Sequence, residues 1–182
     1  MTIPTLDTPR LTLEPLTRDD APAIQALFPH WEIVRYMNAR VPWPYPPDGA
    51  LTYLCKSALP GMAAGTEWHW TIRFKTAPDE MTGVISLMAN ADNHRGFWVG
   101  RPWQGRGIAT EASTRATDFW FDELGREILR VPKASANLPS RRVSERSGMR
   151  LVRQETHDLV CGPTPCDLWE ITREEWRQFR AG

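Results

Sequence analysis

The segment Gln104-Gly105-Arg106-Gly107-Ile108-Ala109 constrains this chain more than any other, because it sets two glycines at the start of an amphipathic run. At a helix start the first N–H groups have no intrahelical acceptor, so a turn stripped of side-chain bulk can aim several of them at one anionic group. The positive end of the helix dipole adds to this attraction, and glycine reaches backbone angles that other residues find costly. After the turn, Ile108, Ala112, Ala116, Phe119, Trp120 and Leu124 recur at three- and four-residue steps, and Gly125 is placed to end the helix. Before it, Gly96-Phe97-Trp98-Val99-Gly100 has the aromatic and β-branched character of a buried strand. Strand, glycine turn and helix in that order form a backbone cradle for a phosphate group.

Several phosphate-binding motifs share this order. The nucleotide-binding pattern that ends in Gly-Lys-Ser/Thr does not occur, and the dinucleotide pattern G-x-G-x-x-G fails at Thr110, where its third glycine would stand. On the glycine pair alone, a tight turn with no ligand remains open beside the cradle.

The rest of the chain reads as mixed α/β. Strands are expected near Arg10–Glu14, Trp68–Phe74, Met81–Leu87, Glu127–Val131, Met149–Gln154 and Asp167–Ile171. The second and third of these pair antiparallel through Ala77-Pro78-Asp79-Glu80. Helices are expected near Asp19–Phe28, capped by Thr17 or Asp19, near Asp48–Leu59 and at Ser140–Ser147. A last helix starts at Thr172, with Glu175 completing a capping box. Pro42, Pro44, Pro46 and Pro47 break the stretch between the first two helices into a loop. A length of 182 residues suits one domain spanning residues 1–182.

With 22 basic and 22 acidic residues the chain carries no net charge, so nucleic acid and anionic membranes are not expected partners. Arg141, Arg142, Arg146 and Arg150 form the densest basic cluster, either a solvated helix face or a set of phosphate contacts. There is no apolar run long enough to span a bilayer and no signal-peptide pattern, and the odd cysteines Cys55, Cys161 and Cys166 suit a reducing compartment. A cytoplasmic location is expected. His157, Cys161 and Cys166 lack a fourth ligand and straddle a Gly-Pro-Thr-Pro turn, so no metal site is expected.

Gln104-x-x-Gly107-x-Ala109 matches the Q/R-x-x-G-x-G/A signature of the GNAT superfamily of acyl-CoA-dependent N-acyltransferases. Other segments follow in the right order. Thr8-Pro9-Arg10-Leu11, Pro42-Trp43-Pro44-Tyr45, Gly96-Phe97-Trp98-Val99, Ala109-Thr110-Glu111-Ala112 and Asn137-x-x-Ser140 with Gly148-Met149 together resemble the branch of ribosomal-protein N-terminal (alanine/serine) acetyltransferases. The resemblance spans roughly residues 8 to 155. It implies a GNAT fold, a mixed, mostly antiparallel sheet of about six to seven strands, splayed centrally and flanked by helices. It also implies acetyl-CoA as co-substrate and a primary amine as acceptor, on a protein N-terminus or a small molecule. A homodimer is left open.

The resemblance further implies that backbone N–H groups of Gln104, Gly105, Arg106, Gly107, Ile108, Ala109 and Thr110 hold the pyrophosphate. Phe97, Trp98 and Val99 would pair with the pantetheine arm and supply an N–H to the thioester oxygen. Ser140 stands where the family protonates the leaving thiolate, with an N-cap serine as the other reading, and Asn137 is a cofactor contact or a turn residue. Where many relatives carry a basic glutamate, six residues before Val99, this chain has Asn93. Asp92, His94, His69 and Glu67 are the substitutes that the sequence offers, each acting through water. Deprotonating an α-amine at pH 7 costs about 1.4 kcal/mol and a lysine roughly 4.6 kcal/mol, so a weak base favours α-amines. Trp43 and Tyr45 are placed to wall an acceptor groove, while Trp68 and Trp70 share one strand face and read as packing. Two other functions remain open: detoxification of an antibiotic or metabolite amine, and a catalytically silent CoA-binding module.

Overall fold

In the computed structural model, which describes residues 2–182, the β-branched and aromatic runs of the first half pair into a five-stranded antiparallel sheet. Its strands lie in sequence order: β1 (Leu6–Asp7), β2 (Leu11–Pro15), β3 (Glu67–Phe74), β4 (Ala77–Met88) and β5 (Arg95–Val99). A second antiparallel sheet holds β6 (Ile128–Ala134), β7 (Arg150–Leu159) and β8 (Gly162–Thr172), with β8 in the middle. The expected single sheet of six to seven strands is therefore two sheets of five and three strands.

The break between the sheets has a cause in the sequence. At its start β6 is tied to the residue before β5: His94 N donates to Arg130 O at 2.8 Å, and Arg130 N donates to His94 Nδ1 at 2.9 Å. Three residues further along each chain, Lys133 lies over the Phe97 ring at 4.6 Å, so the two strands run in the same direction. Pro132 has the same parity as Arg130 and turns toward β5 a backbone nitrogen with no hydrogen to give. The ladder ends there, the strands part, and a cleft opens at their C-terminal ends.

Helices cover both faces of the larger sheet. On one face lie α1 (Ala21–Leu27), α2 (Trp31–Val34), α3 (Gly49–Tyr53) and α4 (Leu59–Ala63), the last two joined by a π turn. Ile24, Phe28, Val34, Ala50, Leu54 and Ala58 pack there with Met81 and Val84. On the other face α5 (Ile108–Asp118) runs through a π turn to Glu123. Trp70 meets Phe119 edge-on at 5.2 Å, and Trp68 meets Trp120 at 6.4 Å, so both tryptophans are core packing. Each such pair contributes about 0.5–1.5 kcal/mol beyond the area it buries. The remaining helices are α6 (Leu138–Arg146) and α7 (Arg173–Ala181). The Thr172–Glu175 capping box starts α7 as expected.

Some boundaries differ from expectation. The β3–β4 turn is Lys75-Thr76, and Pro78-Asp79-Glu80 bulge from β4 without partners on β3. The Gly-Pro-Thr-Pro segment is the first part of β8, paired with β7. Pro163 and Pro165 are tolerated because β6 ends opposite Cys166, so no neighbour asks for their missing N–H. The first helix begins with a short 3-10 turn at Arg18–Asp20, where the Asp20 carboxylate accepts from Thr17 N and Oγ1.

Candidate functional site

The glycine turn lies at the mouth of the cleft, between the end of β5 and the start of α5. Gly105 and Gly107 have φ of +75° and +77°, left-handed angles that glycine alone adopts without strain. The Gln104 side chain donates to Val99 O at 2.9 Å and pins the turn to the strand. None of the six N–H groups from Gly105 to Thr110 has an acceptor among the described residues, whereas Glu111 N closes the first helical bond on Gly107 O. Six free donors gather at one helix N-terminus, and all of their residues but Arg106 line one cavity.

Behind the turn, two motifs far apart in sequence meet. The Glu111 carboxylate accepts from Thr8 Oγ1 at 2.6 Å, from Arg10 N at 2.9 Å and from Arg10 Nε at 2.7 Å. Arg10 Nη2 also donates to Arg106 O at 3.1 Å, which holds the back of the turn. Burial alone would raise the Glu111 pKa, but the bonds from Thr8 and Arg10 outweigh it and hold the carboxylate below its ordinary range.

The cleft is a cavity of about 770 Å³. Phe97, Trp98, Val99, Gln104, Gly105, Gly107, Ile108, Ala109, Thr110, Asn137 and Ser140 all line it; Arg106 does not, and joins the turn only through its backbone. Asn137 is the N-cap of α6, its side chain accepting from Ser140 N at 3.4 Å. The reading of Ser140 as a cap is thereby corrected: it sits in the first turn, and its hydroxyl has no protein partner among the described residues. Of the basic cluster, Arg142 and Arg146 line the cavity. Arg141 is held by Asp167, and Arg150 by Glu170 and Glu175.

The substitutes for the missing glutamate separate clearly. Asp92 is bound by Arg130 and Arg153, each at 3.1 Å. His94 is buried at the closed end of the cleft, stacked on Trp120 at 4.9 Å, with Nε2 on Asn90 O at 2.7 Å and Nδ1 taken by Arg130 N. Desolvation lowers its pKa, so it is a neutral structural histidine with both nitrogens in use. Asn93 belongs to the preceding loop, its N–H on Asn90 Oδ1. His69 and Glu67 instead form a bonded pair at 2.7 Å on β3. Among the described residues no cluster of three or more His, Cys, Asp or Glu side chains has the arrangement of a metal site.

The model of the acetyltransferase (GNAT) domain family matches residues 10–150, more than half of the chain. The chain belongs to the GNAT acetyltransferase family. It is 28% identical over 102 residues to the candidate ribosomal N-acetyltransferase YdaF of Bacillus subtilis, a match covering 53% of this chain and 56% of that relative, so it spans little over half of that relative's length. Among solved structures, the ribosomal L7/L12 α-N-protein acetyltransferase RimL in complex with coenzyme A superposes with a TM-score of 0.79 at 15% identity, covering 93% of this chain and 98% of that one. RimJ of Mycobacterium smegmatis, in complex with a CoA disulfide, gives 0.78 at 19% identity, covering 95% and 88%. At such identities these likenesses concern the fold.

Several residues of this GNAT cleft carried no signal in the sequence. Glu32, Arg35 and Tyr36, from α2 and the turn after it, line the cavity because that helix is folded over its mouth. Behind the cleft and not part of its lining, Arg95 and Lys133 are buried, 1% and 8% exposed, and neither is in a salt bridge among the described residues. Arg95 donates to Thr117 Oγ1 at 2.5 Å, and burial lowers its pKa to about 10. Burial, and then the Arg95 charge, push the Lys133 pKa down to about 7. Asp167 stands opposite Lys133 in register but gives its carboxylate to Ser135, Gln154 and Arg141.

Proposed function

We propose that this chain transfers the acetyl group of acetyl-CoA to the α-amine of a protein N-terminus, the reaction class for which RimL is named. The observation that carries this reading is the row of six unpartnered N–H groups at a helix N-terminus, shaped by two left-handed glycines. Such a donor set fits a pyrophosphate, and Arg142 and Arg146 on the opposite wall add charge for phosphate oxygens. Acetyl-CoA supplies an acyl group already activated as a thioester. Phe97, Trp98 and Val99 border the part of the cleft that a pantetheine arm would follow, on the side of β5 left unpaired by the splay. Ser140, with its hydroxyl uncommitted, is placed to give a proton to the departing sulfur. Arg35 and Tyr36 wall the cavity beside Trp98. Trp43, 42% exposed and 5.5 Å from Trp31, does not line the cavity, and Tyr45 packs edge-on against Phe28 at 5.2 Å, so the expected aromatic wall is not formed by this pair. Cytoplasmic protein N-termini are the setting this reading implies. No helix among the described residues is long and apolar enough to cross a membrane.

Thermal unfolding with acetyl-CoA tests the first step. At about 100 times its Kd the ligand adds about 2.7 kcal/mol, a rise of roughly 5–10 °C for a chain of this size. Release of CoA with peptides starting in alanine or serine, against a panel of small amines, tests the second. Preference for small amines would move the assignment to detoxification, and binding without release in either panel would leave a silent CoA-binding module. Ser140→Ala is expected to lower kcat about 10- to 100-fold with CoA affinity kept, since general acid catalysis contributes about 100-fold or more. Unaltered kcat would remove Ser140 from the reaction.

Arg10→Ala frees the back of the turn. CoA affinity is expected to fall about tenfold, while the unliganded protein loses only about 1 kcal/mol, because Arg10 is half exposed. Calorimetric titration separates the two effects, and equal CoA affinity would show that the turn holds its shape without Arg10.

A further inference from the structure

Ser86 is the one half-open residue between Met81 and Leu87, a stretch of β4 otherwise buried. It pairs across the sheet with His69 on one side and with Gly96 of β5 on the other, so its hydroxyl projects where Gly96 has no side chain to cover it. Val84 and Trp98, the next residues on the same face of β4 and β5, pair with each other, and Trp98 lines the cleft. Ser86 does not itself line the cleft; alternate residues of a strand are about 7 Å apart, so a bridging water would link its hydroxyl to the cleft wall at Trp98.

Ser86 Oγ is 2.6 Å from His69 Nδ1, and His69 Nε2 is 2.7 Å from Glu67 Oε2. His69 is 1% exposed, whereas the Glu67 side chain is 29% exposed, so the chain of bonds leads from the sheet interior to solvent. Its polarity is set by chemistry. The hydroxyl gives its hydrogen to Nδ1, the ring gives its Nε2 hydrogen to the carboxylate, and the serine oxygen keeps lone pairs for a donor arriving from the cleft. Tyr53 of α3 is the other titratable group facing His69, edge-on at 6.3 Å. Although Tyr53 is 42% exposed overall, desolvation around its hydroxyl, and then the Glu67 charge, raise its pKa, so it stays neutral at working pH. Gly61 of α4 lies against Glu67: a methyl group there would sit 2.8 Å from its Cδ.

We propose that Ser86, His69 and Glu67 form a proton relay that takes the proton of the incoming ammonium group, in place of the glutamate this chain lacks. The relay rests on the acetyltransferase reading above. The ammonium proton passes through one water to Ser86 Oγ as the serine proton moves to Nδ1. The Nε2 proton moves to Glu67, which releases it to solvent. The neutral amine then forms its bond to the acyl carbon, the carbon–sulfur bond breaks, the departing thiolate takes the Ser140 hydroxyl proton, and the surplus proton of the new amide nitrogen restores that hydroxyl.

The test is kcat over pH 6–10 for the wild type, Glu67→Gln, His69→Gln, Ser86→Ala and Gly61→Ala, with N-terminal alanine and serine peptides as acceptors and CoA affinity measured alongside. At pH 7 each variant is expected to lose about 100-fold in kcat. CoA affinity is expected within twofold of wild type, with the deficit closing as the pH passes the amine pKa near about 8. A structural defect would not be repaired by pH. Glu67→Gln serves if His69→Gln fails to fold. Wild-type kcat in Glu67→Gln and Ser86→Ala, or a deficit of constant size across the pH range, would overturn the relay. A wild type that binds CoA but acetylates no peptide fails the acetyltransferase reading instead. The relay is then judged by nitrogen NMR of His69, where the Nε2–H tautomer supports it and the Nδ1–H tautomer overturns it.

Discussion

Gly107→Val will abolish measurable acetyl-CoA binding, with affinity falling by more than 100-fold, while the protein still folds. At φ +77° a β-branched residue is strained by about 1–3 kcal/mol, and the new Cβ would sit 3.3 Å from Arg10 Nη2, the group that holds the turn. The backbone relieves the strain by rotating, and rotation re-aims the N–H groups of Ile108, Ala109 and Thr110, the first three donors of α5. Gly105→Ala isolates the strain alone, since nothing lies within 4 Å of a Cβ at that position, and is expected to weaken binding less. The check is isothermal titration with CoA, next to the thermal shift. Wild-type affinity in Gly107→Val would remove the phosphate cradle and the acyl-CoA assignment with it.

Lys133→Met will stabilise the protein by about 2–4 kcal/mol at pH 7, raising Tm by roughly 5–15 °C. In the folded state the Lys133 pKa is lowered to about 7, whereas the unfolded chain titrates near the ordinary lysine value of about 10.4. Between these values the unfolded state binds more protons, so the stability of the wild type rises with pH across that window. Below about pH 7 the whole cost of the buried ammonium is present, and above about pH 10 it has gone. The gain from Lys133→Met is therefore largest at pH 7 and below, and shrinks toward pH 10. Denaturant titrations at pH 6.5 and pH 10 measure it. An equal gain at both would trace the effect to packing against Phe97, not to charge.

How far the sequence could be read depended on how far apart the cooperating residues stand. The strand, glycine turn and α5 were legible because they rest on contiguous signals: an aromatic run ending in Val99, two glycines and apolar residues at helical spacing. The Thr172–Glu175 box was legible for the same reason. The reading of Ser140 as a cap put the helix start about one turn late, since Asn137 competes for the same cap and Pro139 suits the first turn of a helix begun earlier. The Gly-Pro-Thr-Pro segment looked like a turn because the neighbour that would have needed its N–H groups ends at Ala134, a fact of pairing.

The sequence by itself therefore determined the strand–glycine turn–helix unit, the membership of the chain in an α/β class and most of the residues that line the cleft, because local conformation and short periodicity encode them. Tertiary structure decided the rest. It set Pro132 against β5 and so opened the cleft, joined Arg10 to Glu111 across the turn, and left Lys133 buried without an anion. It also put Ser86, on β4, within reach of a histidine 17 residues earlier in the chain. Each of these depends on which strands become neighbours, and pairing is fixed by the packing of both sheet faces rather than by any contiguous stretch of residues.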